Sequence, residues 1–248
     1  MSALVSFGGG VNSTAMLIAL ANDGWRGPVV FSDTGCEWPE TYCFLDYFED
    51  EWMRPRGLEL TRLSGPPYQC DQNGRTLIDY CEQACKIPIP AVRWCTMSYK
   101  VRPVSKWAEE CGVTLQHIGI AADERHRAKK RAGRDYPLVE RDITRQGCVD
   151  IIQAEGLDVP QKSGCYICPF QRIDQWRELW RRHPELFERA AAIEASVDTK
   201  EGRYTPTLDP SGRYTLRDLQ ERFERQMSWL DDSEMDELLA YKPCVCGI

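Results

Sequence analysis

Ala3-Leu4-Val5-Ser6-Phe7-Gly8-Gly9-Gly10-Val11-Asn12-Ser13-Thr14 is the stretch on which the fold turns. Three apolar residues make a short strand, and three adjacent glycines let the backbone turn tightly. From Ser13 to Ala21 apolar residues then recur at helical spacing (Ala15, Leu17, Ile18, Leu20, Ala21) and stop near Gly24. A glycine-rich turn between a strand and a helix leaves several backbone N–H groups unpaired and aimed at one point. The helix dipole adds partial positive charge there, so an anion, usually a phosphate, is the natural guest.

Outward from this turn, strands and helices alternate. Val29-Val30-Phe31 reads as a buried strand ending at Ser32-Asp33-Thr34-Gly35, and Glu40 to Met53 as an aromatic-rich helix just after Pro39. Leu58–Leu63 alternates like a half-buried strand, a helix follows Pro103 up to Cys111, and Leu115–Ile120 is another strand. Strands separated by helices predict an α/β fold with a doubly wound, mostly parallel sheet, whose ligands bind at the carboxyl ends of the strands. The later part differs. Gln175 to Val197 is a helical run split near His183 by Pro184, Thr199 to Arg213 is loop-like, and Leu216 to Leu239 is a charged helix. The expected organisation is a nucleotide-binding core over 1–150 and a cysteine-containing helical C-terminal part over 151–248.

The composition, 42% hydrophobic and 28% charged over 248 residues, suits a globular protein with a real core. No run of about 18 apolar residues predicts a membrane span, and no basic leader precedes the first strand, so a cytoplasmic location is the default. A net charge of −7 argues against a surface that coats nucleic acid. One segment runs the other way, with Arg125, Arg127, Lys129, Lys130, Arg131 and Arg134 close together. It reads either as a solvated face or as a phosphate-gripping lid or local contact for tRNA or DNA. A homo-oligomer stays open.

The loop lacks the Gly-Lys-Ser/Thr of a Walker motif, and its adjacent glycines do not fit GxGxxG. It resembles the pyrophosphatase loop (PP-loop) of the adenine nucleotide α-hydrolase-like enzymes, with Asn12 at the usual Asp position and Gly8 at the usual first Ser. Phe31-Ser32-Asp33-Thr34-Gly35-Cys36-Glu37-Trp38-Pro39-Glu40-Thr41 is similar to the DTG-x-x-x-P-E-T segment of the phosphoadenosine phosphosulfate (PAPS) reductase family. Cys95 through Lys100-Val101-Arg102-Pro103 resembles that family's C-x-x-x-x-K-V-x-P. Gly119-Ile120-Ala121-Ala122-Asp123-Glu124-Arg125-His126-Arg127 resembles its G-I-R-A-D-E-S-x-R, with Ala121 where an Arg is usual. Tyr136-Pro137-Leu138 and Ser163-Gly164-Cys165-Tyr166-Ile167-Cys168-Pro169-Phe170 resemble later motifs of its phage- and defence-associated branch. The resemblance implies that Ser6, Gly8, Gly9, Gly10, Asn12, Ser13 and Thr14 hold phosphate or sulfate. It also implies that Asp33, Thr34 and Gly35 meet the adenosine part, and that Lys100, Arg125 and Arg127 neutralise the anionic end, Lys100 and Arg127 being catalytic.

Twelve cysteines are many for a reducing compartment, where disulfides are rare, so metal ligation or thiol chemistry leads. Cys165-Tyr166-Ile167-Cys168-Pro169 presents two thiolates from one turn, as a cluster loop, a redox pair or half a zinc site would. The resemblance implies a [4Fe–4S] cluster, with zinc the lesser alternative. In the family's cluster-bearing adenylylsulfate reductases, two adjacent cysteines before the Lys join a later CxxC. Here Cys95 fills the first position and Thr96 stands in the second. Cys148 is assigned as the missing ligand, giving Cys95, Cys148, Cys165 and Cys168, with Cys244 and Cys246 in competition. Cys81 and Cys85, spaced i, i+4, could share a helix face. The tail Cys246-Gly247-Ile248 looks like a shortened form of the reductases' mobile terminus, which makes Cys246 the candidate nucleophile.

Three functions are thus expected. One is reduction of adenylylsulfate or PAPS, or related sulfur transfer, with a thioredoxin-like reductant. Another is an ATP-pyrophosphatase that adenylates and thiolates tRNA or DNA. The last is a non-catalytic subunit that senses nucleotide and cluster within a larger defence assembly.

Overall fold

The computed structural model describes residues 2–64, 75–129, 131–197, 207–209 and 212–227. Its elements begin with β1 (Ala3–Ser6), α1 (Val11–Asn22), β2 (Val29–Ser32), α2 (Pro39–Phe48) and β3 (Leu60–Leu63). Then come α3 (Leu77–Ala84), α4 (Trp94–Thr96), α5 (Arg102–Glu110), β4 (Leu115–Ile118) and β5 (Arg134–Asp135). The rest is helical: α6 (Pro137–Glu140), α7 (Arg145–Ala154), α8 (Ile173–Arg182), α9 (Pro184–Ser196) and α10 (Leu216–Met227).

The described residues group into two compact units. The first takes in 2–64, 98–129 and 131–164; the second takes in 75–97, 165–197, 207–209 and 212–227. The sequence reading cut the chain once, at 150. The grouping carries the first unit on to Gly164 and assigns the inserted segment 75–97 to the second.

The first unit holds the sheet, ordered β3-β2-β1-β4-β5 with every pairing parallel. Alternation along the strands loads both faces. Leu4 and Val30 point to one face, where Leu63, Val104 and Ala108 complete a cluster beneath α5. Val5, Val29 and Phe31 point to the other, against α1, α2 and α7. A sheet covered on both faces needs apolar residues at nearly every strand position, and β2 is buried throughout. α1 is buried on most of its circumference because α7 covers the side turned from the sheet. It stops at Gly24, whose φ of +89° suits glycine.

α2 opens on Pro39, which lacks the N–H that a first turn leaves unpaired. The expected helix to Met53 holds, but its last part, Glu49–Met53, widens into a π turn. The cause is an aromatic stack: Phe48 lies against Phe7 at 5.6 Å, Phe44 at 5.7 Å and Trp52 at 5.0 Å between ring centroids. Strand β5 has no counterpart in the sequence reading, which put Arg134 in the basic stretch.

In the second unit the expected break at His183 is present, since α8 ends at Arg182 and α9 starts on Pro184. Trp176, Leu179, Phe187 and Phe223 form its dry interior. The buried Glu194 carboxylate accepts the Leu208 and Leu216 N–H groups at 2.7 and 2.6 Å, tying α9 to the start of α10. Of the charged run to Leu239, the part beyond Met227 lies outside the described residues. Among the described residues no helix is long and apolar enough to cross a membrane.

Candidate functional site

The sheet order reverses between β1 and β4, and in parallel sheets the crevice at such a point receives ligands. A cavity of 520 Å³ opens there within the first unit. Its floor is Ser6 at the end of β1 and Ile118 and Gly119 at the end of β4. One wall is the glycine loop and the first turn of α1, through Gly8, Gly10, Val11, Asn12 and Ser13. The opposite wall carries Asp123, Glu124, Arg127, Arg145, Lys162 and Ser163.

The loop has the geometry of an anion cradle. The N–H groups of Gly8 and Gly10 both donate to Ser13 Oγ, each at 3.2 Å, so they converge on one oxygen. The Ser13 hydroxyl in turn donates to the Gly10 carbonyl at 2.9 Å. An oxygen of a phosphate or sulfate would find the same donors and the positive end of α1. Two glycines are required by close approach. Gly9 has φ +66°, and a Cβ there would press Leu45 Cδ2 at 3.1 Å and Thr41 Cγ2 at 3.2 Å. A Cβ on Gly119 would stand 2.9 Å from the backbone nitrogen of Ser13, so β4 and α1 touch backbone to backbone.

Asn12 is held from two sides. Its carbonyl oxygen accepts from Arg145 Nη1 at 2.9 Å, and its amide nitrogen donates to Glu124 Oε2 at 3.4 Å. Glu124 also takes Arg127 Nη1 at 2.5 Å. The Arg145 backbone N–H donates to Asp123 Oδ1 at 3.1 Å, fixing the start of α7 against the 3₁₀ turn Ala122–Arg127. Three cationic and two acidic side chains therefore face the glycine loop. Such a mixture binds a polyanion and leaves carboxylates for a divalent cation.

Of the residues expected from sequence, Ser6, Gly8, Gly10, Asn12, Ser13 and Arg127 line this cavity. Gly9 and the buried Thr14 shape it from behind, the Thr14 hydroxyl donating to the Gly10 carbonyl at 3.1 Å. Asp33, Thr34, Gly35 and Lys100 form a second group at the end of β2. There Asp33 Oδ1 accepts the Gly35 N–H at 2.8 Å and the Tyr42 hydroxyl at 2.7 Å. Burial, then the Asp33 carboxylate, push the Tyr42 phenol far above its ordinary range, so it stays a donor. Thr34 donates to Glu37 at 3.1 Å, and Lys100 Nζ meets the same buried carboxylate at 2.7 Å. Arg125 pairs with Asp142. Arg145, Lys162 and Ser163 were not foreseen; Lys162-Ser163 directly before Gly164-Cys165 was the available clue.

The cysteines divide between the units. Cys148 lies in the core of the first, fully buried among α1 and α7 residues. Burial raises its thiol to about 11, with Arg145 and Asp123 as its charged neighbours. Cys95, Cys165 and Cys168 belong to the second unit. The CxxC segment is a turn closed by the Cys168 N–H on the Cys165 carbonyl at 3.0 Å, and Gln171 braces it through the Tyr166 carbonyl at 2.8 Å. Buried Cys81 on α3 has its thiol pushed up to about 12, by burial and then by Cys95 and Cys165. Among the described residues no three His, Cys, Asp or Glu side chains are gathered tightly enough to hold a metal ion as they stand. Cys246, Cys244 and Cys70 lie outside the described residues.

The family model of the phosphoadenosine phosphosulfate reductase domain matches residues 2–135, the span that contains the whole sheet, the glycine loop and Arg127. The chain belongs to this family. An uncharacterized protein of Methanocaldococcus jannaschii is 26% identical over 210 residues, and an uncharacterized nin region protein of Escherichia phage lambda is 28% identical over 192. These alignments take in 75% and 66% of this PAPS reductase-family chain, but only 40% and 64% of the two relatives. Among solved structures, a phosphoadenylyl-sulfate reductase from Candida auris in a phosphate complex is similar with a TM-score of 0.47 and 11% identity, over 66% of this chain and 81% of that one. The U34-tRNA thiolase NcsA from Methanococcus maripaludis with its [4Fe-4S] cluster is similar with a TM-score of 0.44 and 13% identity, over 93% and 82%.

Proposed function

We propose that the protein is an enzyme that binds an adenine nucleotide in the cavity between β1 and β4 and performs sulfur chemistry on it, with adenylylsulfate or PAPS as substrate. The observation that carries this reading is the convergence of the Gly8 and Gly10 N–H groups on one oxygen position, faced by Arg127, Arg145 and Lys162. Membership of the PAPS reductase family supplies the substrate class. The loop and these cations would hold the phosphate and sulfate oxygens, and the Asp33 turn would meet the adenosine. Lys100, tied to Glu37, would steady the anionic end once it turns to the ligand. A cysteine thiolate, Cys246 on the sequence reading, would attack the sulfonate sulfur. The S–O bond to the nucleotide breaks, the nucleotide phosphate leaves with the electron pair, and a cysteine thiosulfonate forms. A thioredoxin-like thiol then attacks the cysteine sulfur, releasing sulfite and leaving a mixed disulfide that a second thiol of the reductant resolves.

The donor chemistry of Cys95, Cys165 and Cys168, thiols in one unit with two on a single turn, fits an iron–sulfur cluster or zinc. A cluster supplies iron as a Lewis acid or electron carrier when bound.

Asp123 and Glu124 in the cavity favour a second reading, in which a divalent cation accompanies ATP and the protein adenylates tRNA or DNA before thiolation. The basic stretch from Arg125 would then contact the nucleic acid. Anaerobic incubation with labelled ATP, adenylylsulfate and PAPS, each with a dithiol reductant, separates the two. Sulfite release from a sulfonucleotide supports the first, and pyrophosphate release from ATP only with nucleic acid present supports the second. Tight nucleotide binding without either product would leave a sensing subunit.

A further inference from the structure

We infer that the thiol centre of the second unit is completed by Cys81, so that Cys81, Cys95, Cys165 and Cys168 form one four-thiolate site for an iron–sulfur cluster. This rests on the reading that the chain carries a thiol-bound centre, and it replaces Cys148 as the fourth ligand.

Placement within one unit is the first argument. Cys81 lies on α3, Cys95 on α4, and Cys165 and Cys168 on the CxxC turn, all in the second unit, whereas Cys148 belongs to the core of the first. Named contacts draw these segments together. The Tyr80 and Trp94 rings meet at 5.3 Å, joining α3 to α4. The Arg93 guanidinium lies 5.4 Å from the centre of the Phe170 ring, joining α4 to the CxxC turn. Arg189 on α9 grips Glu82 at 2.5 and 2.9 Å, holding the outer side of α3.

The second argument is the face of α3 that carries the thiol. Leu77, Ile78 and Cys81 are its buried residues, and Cys81 has no exposed surface. The charges of Cys95 and Cys165 act on Cys81 through this dry space. A buried thiol that feels two other thiols has no packing reason to be cysteine, since alanine or valine would fill the volume without the mutual repulsion of thiolates. A metal centre removes that repulsion by binding all of them in deprotonated form. Cys85, the i+4 neighbour, is turned away: it caps α3 in the left-handed conformation with φ +49° and is exposed.

The third argument concerns size. Around a single tetrahedral zinc, with Zn–S near 2.3 Å, four sulfurs stand ~3.8 Å apart. The described thiols act on one another yet are not gathered that tightly. A cluster, with irons and sulfides between the ligands, takes thiolates that stand farther apart.

The test is anaerobic reconstitution of the full chain with iron and sulfide, in parallel with zinc alone, for wild type, Cys81→Ala, Cys81→Ser, Cys165→Ser and Cys148→Ala. Iron and sulfide per chain, the visible absorption band and the electron paramagnetic resonance signal of the reduced form are read. Far-ultraviolet circular dichroism and nucleotide binding report that each variant is folded. Wild type and Cys148→Ala should hold on the order of four irons. Cys165→Ser and both Cys81 variants should lose the four-iron signal or retain an iron-depleted cluster while still binding nucleotide. A folded Cys81→Ala that keeps full iron, sulfide and signal overturns the inference. Loss in Cys148→Ala with retention in Cys81→Ala restores the other ligand set. Wild type that takes up neither iron nor zinc defeats the underlying reading of a thiol-bound centre.

Discussion

Gly119→Ala isolates the contact that builds the anion cradle. The added Cβ would sit 2.9 Å from Ser13 N and Cα and 3.1 Å from Asn12 C, all backbone atoms of the first turn of α1. Ordinary contact begins near 3.4 Å, so β4 and α1 must part by about half an ångström. Neither can rotate out of the way as a side chain would. Overpacking of this kind costs about 1–3 kcal/mol, and for a chain of this length each kcal/mol lowers Tm by roughly 2–4 °C. The same shift spoils the aim of the Gly8 and Gly10 N–H groups. A hydrogen bond to a charged group is worth about 1.5–3 kcal/mol, so losing one weakens nucleotide binding by roughly 10- to 100-fold. Calorimetric titration with ATP and with adenylylsulfate, beside differential scanning, reads both effects. Gly164→Ala is the control, because nothing lies within 4 Å of the position its Cβ would take. If Gly119→Ala binds both nucleotides as wild type does, the cavity is not the nucleotide site.

Arg145→Ala removes the hydrogen bond to Asn12 and one of the cations facing the loop, and should weaken nucleotide binding ~10-fold while leaving Tm nearly unchanged. The same titration, repeated over a salt series, checks it. Phe48→Ala takes the centre out of the Phe7–Phe44–Trp52 stack and should cost about 3–5 kcal/mol, read as a lowered urea midpoint. Glu155 accepts from Asn22, Trp52 and Arg56, and these bonds hold its carboxyl below the usual glutamate range. Its share of stability is therefore complete above the unfolded value of about 4.3 and is lost as pH falls through the depressed folded value. Urea midpoints followed from neutral to acidic pH should show that acid loss flattened in Glu155→Gln.

Where the sequence was legible, the signal was local. Val29–Phe31 is too apolar for anything but a buried strand, and Pro184 after His183 had to end a helix. The glycine loop announced itself because three consecutive glycines have few other uses between a strand and a helix. The rest depended on partners distant in sequence. Arg145 reaches Asn12 across 133 positions, so no spacing pattern could pair them. Arg134 looked like part of a basic surface, yet it pairs with Gln116 as the start of β5. Cys81 and Cys85 suggested a thiol pair at helical spacing, but the left-handed cap at Cys85 sends the two apart. Cys148 was attractive by its place in the order of cysteines, and only the packing of α7 on α1 puts it in a different unit from the CxxC turn.

The central claim is that the cavity between β1 and β4 holds the phosphate and sulfate groups of an adenine nucleotide. Equilibrium dialysis of radiolabelled adenylylsulfate against the full chain tests it most directly, with inorganic sulfate and pyrophosphate as competitors. The account predicts saturable binding of one nucleotide per chain, displaced by pyrophosphate and lost in Gly119→Ala. Absence of saturable binding, or binding that Gly119→Ala leaves intact, would contradict it.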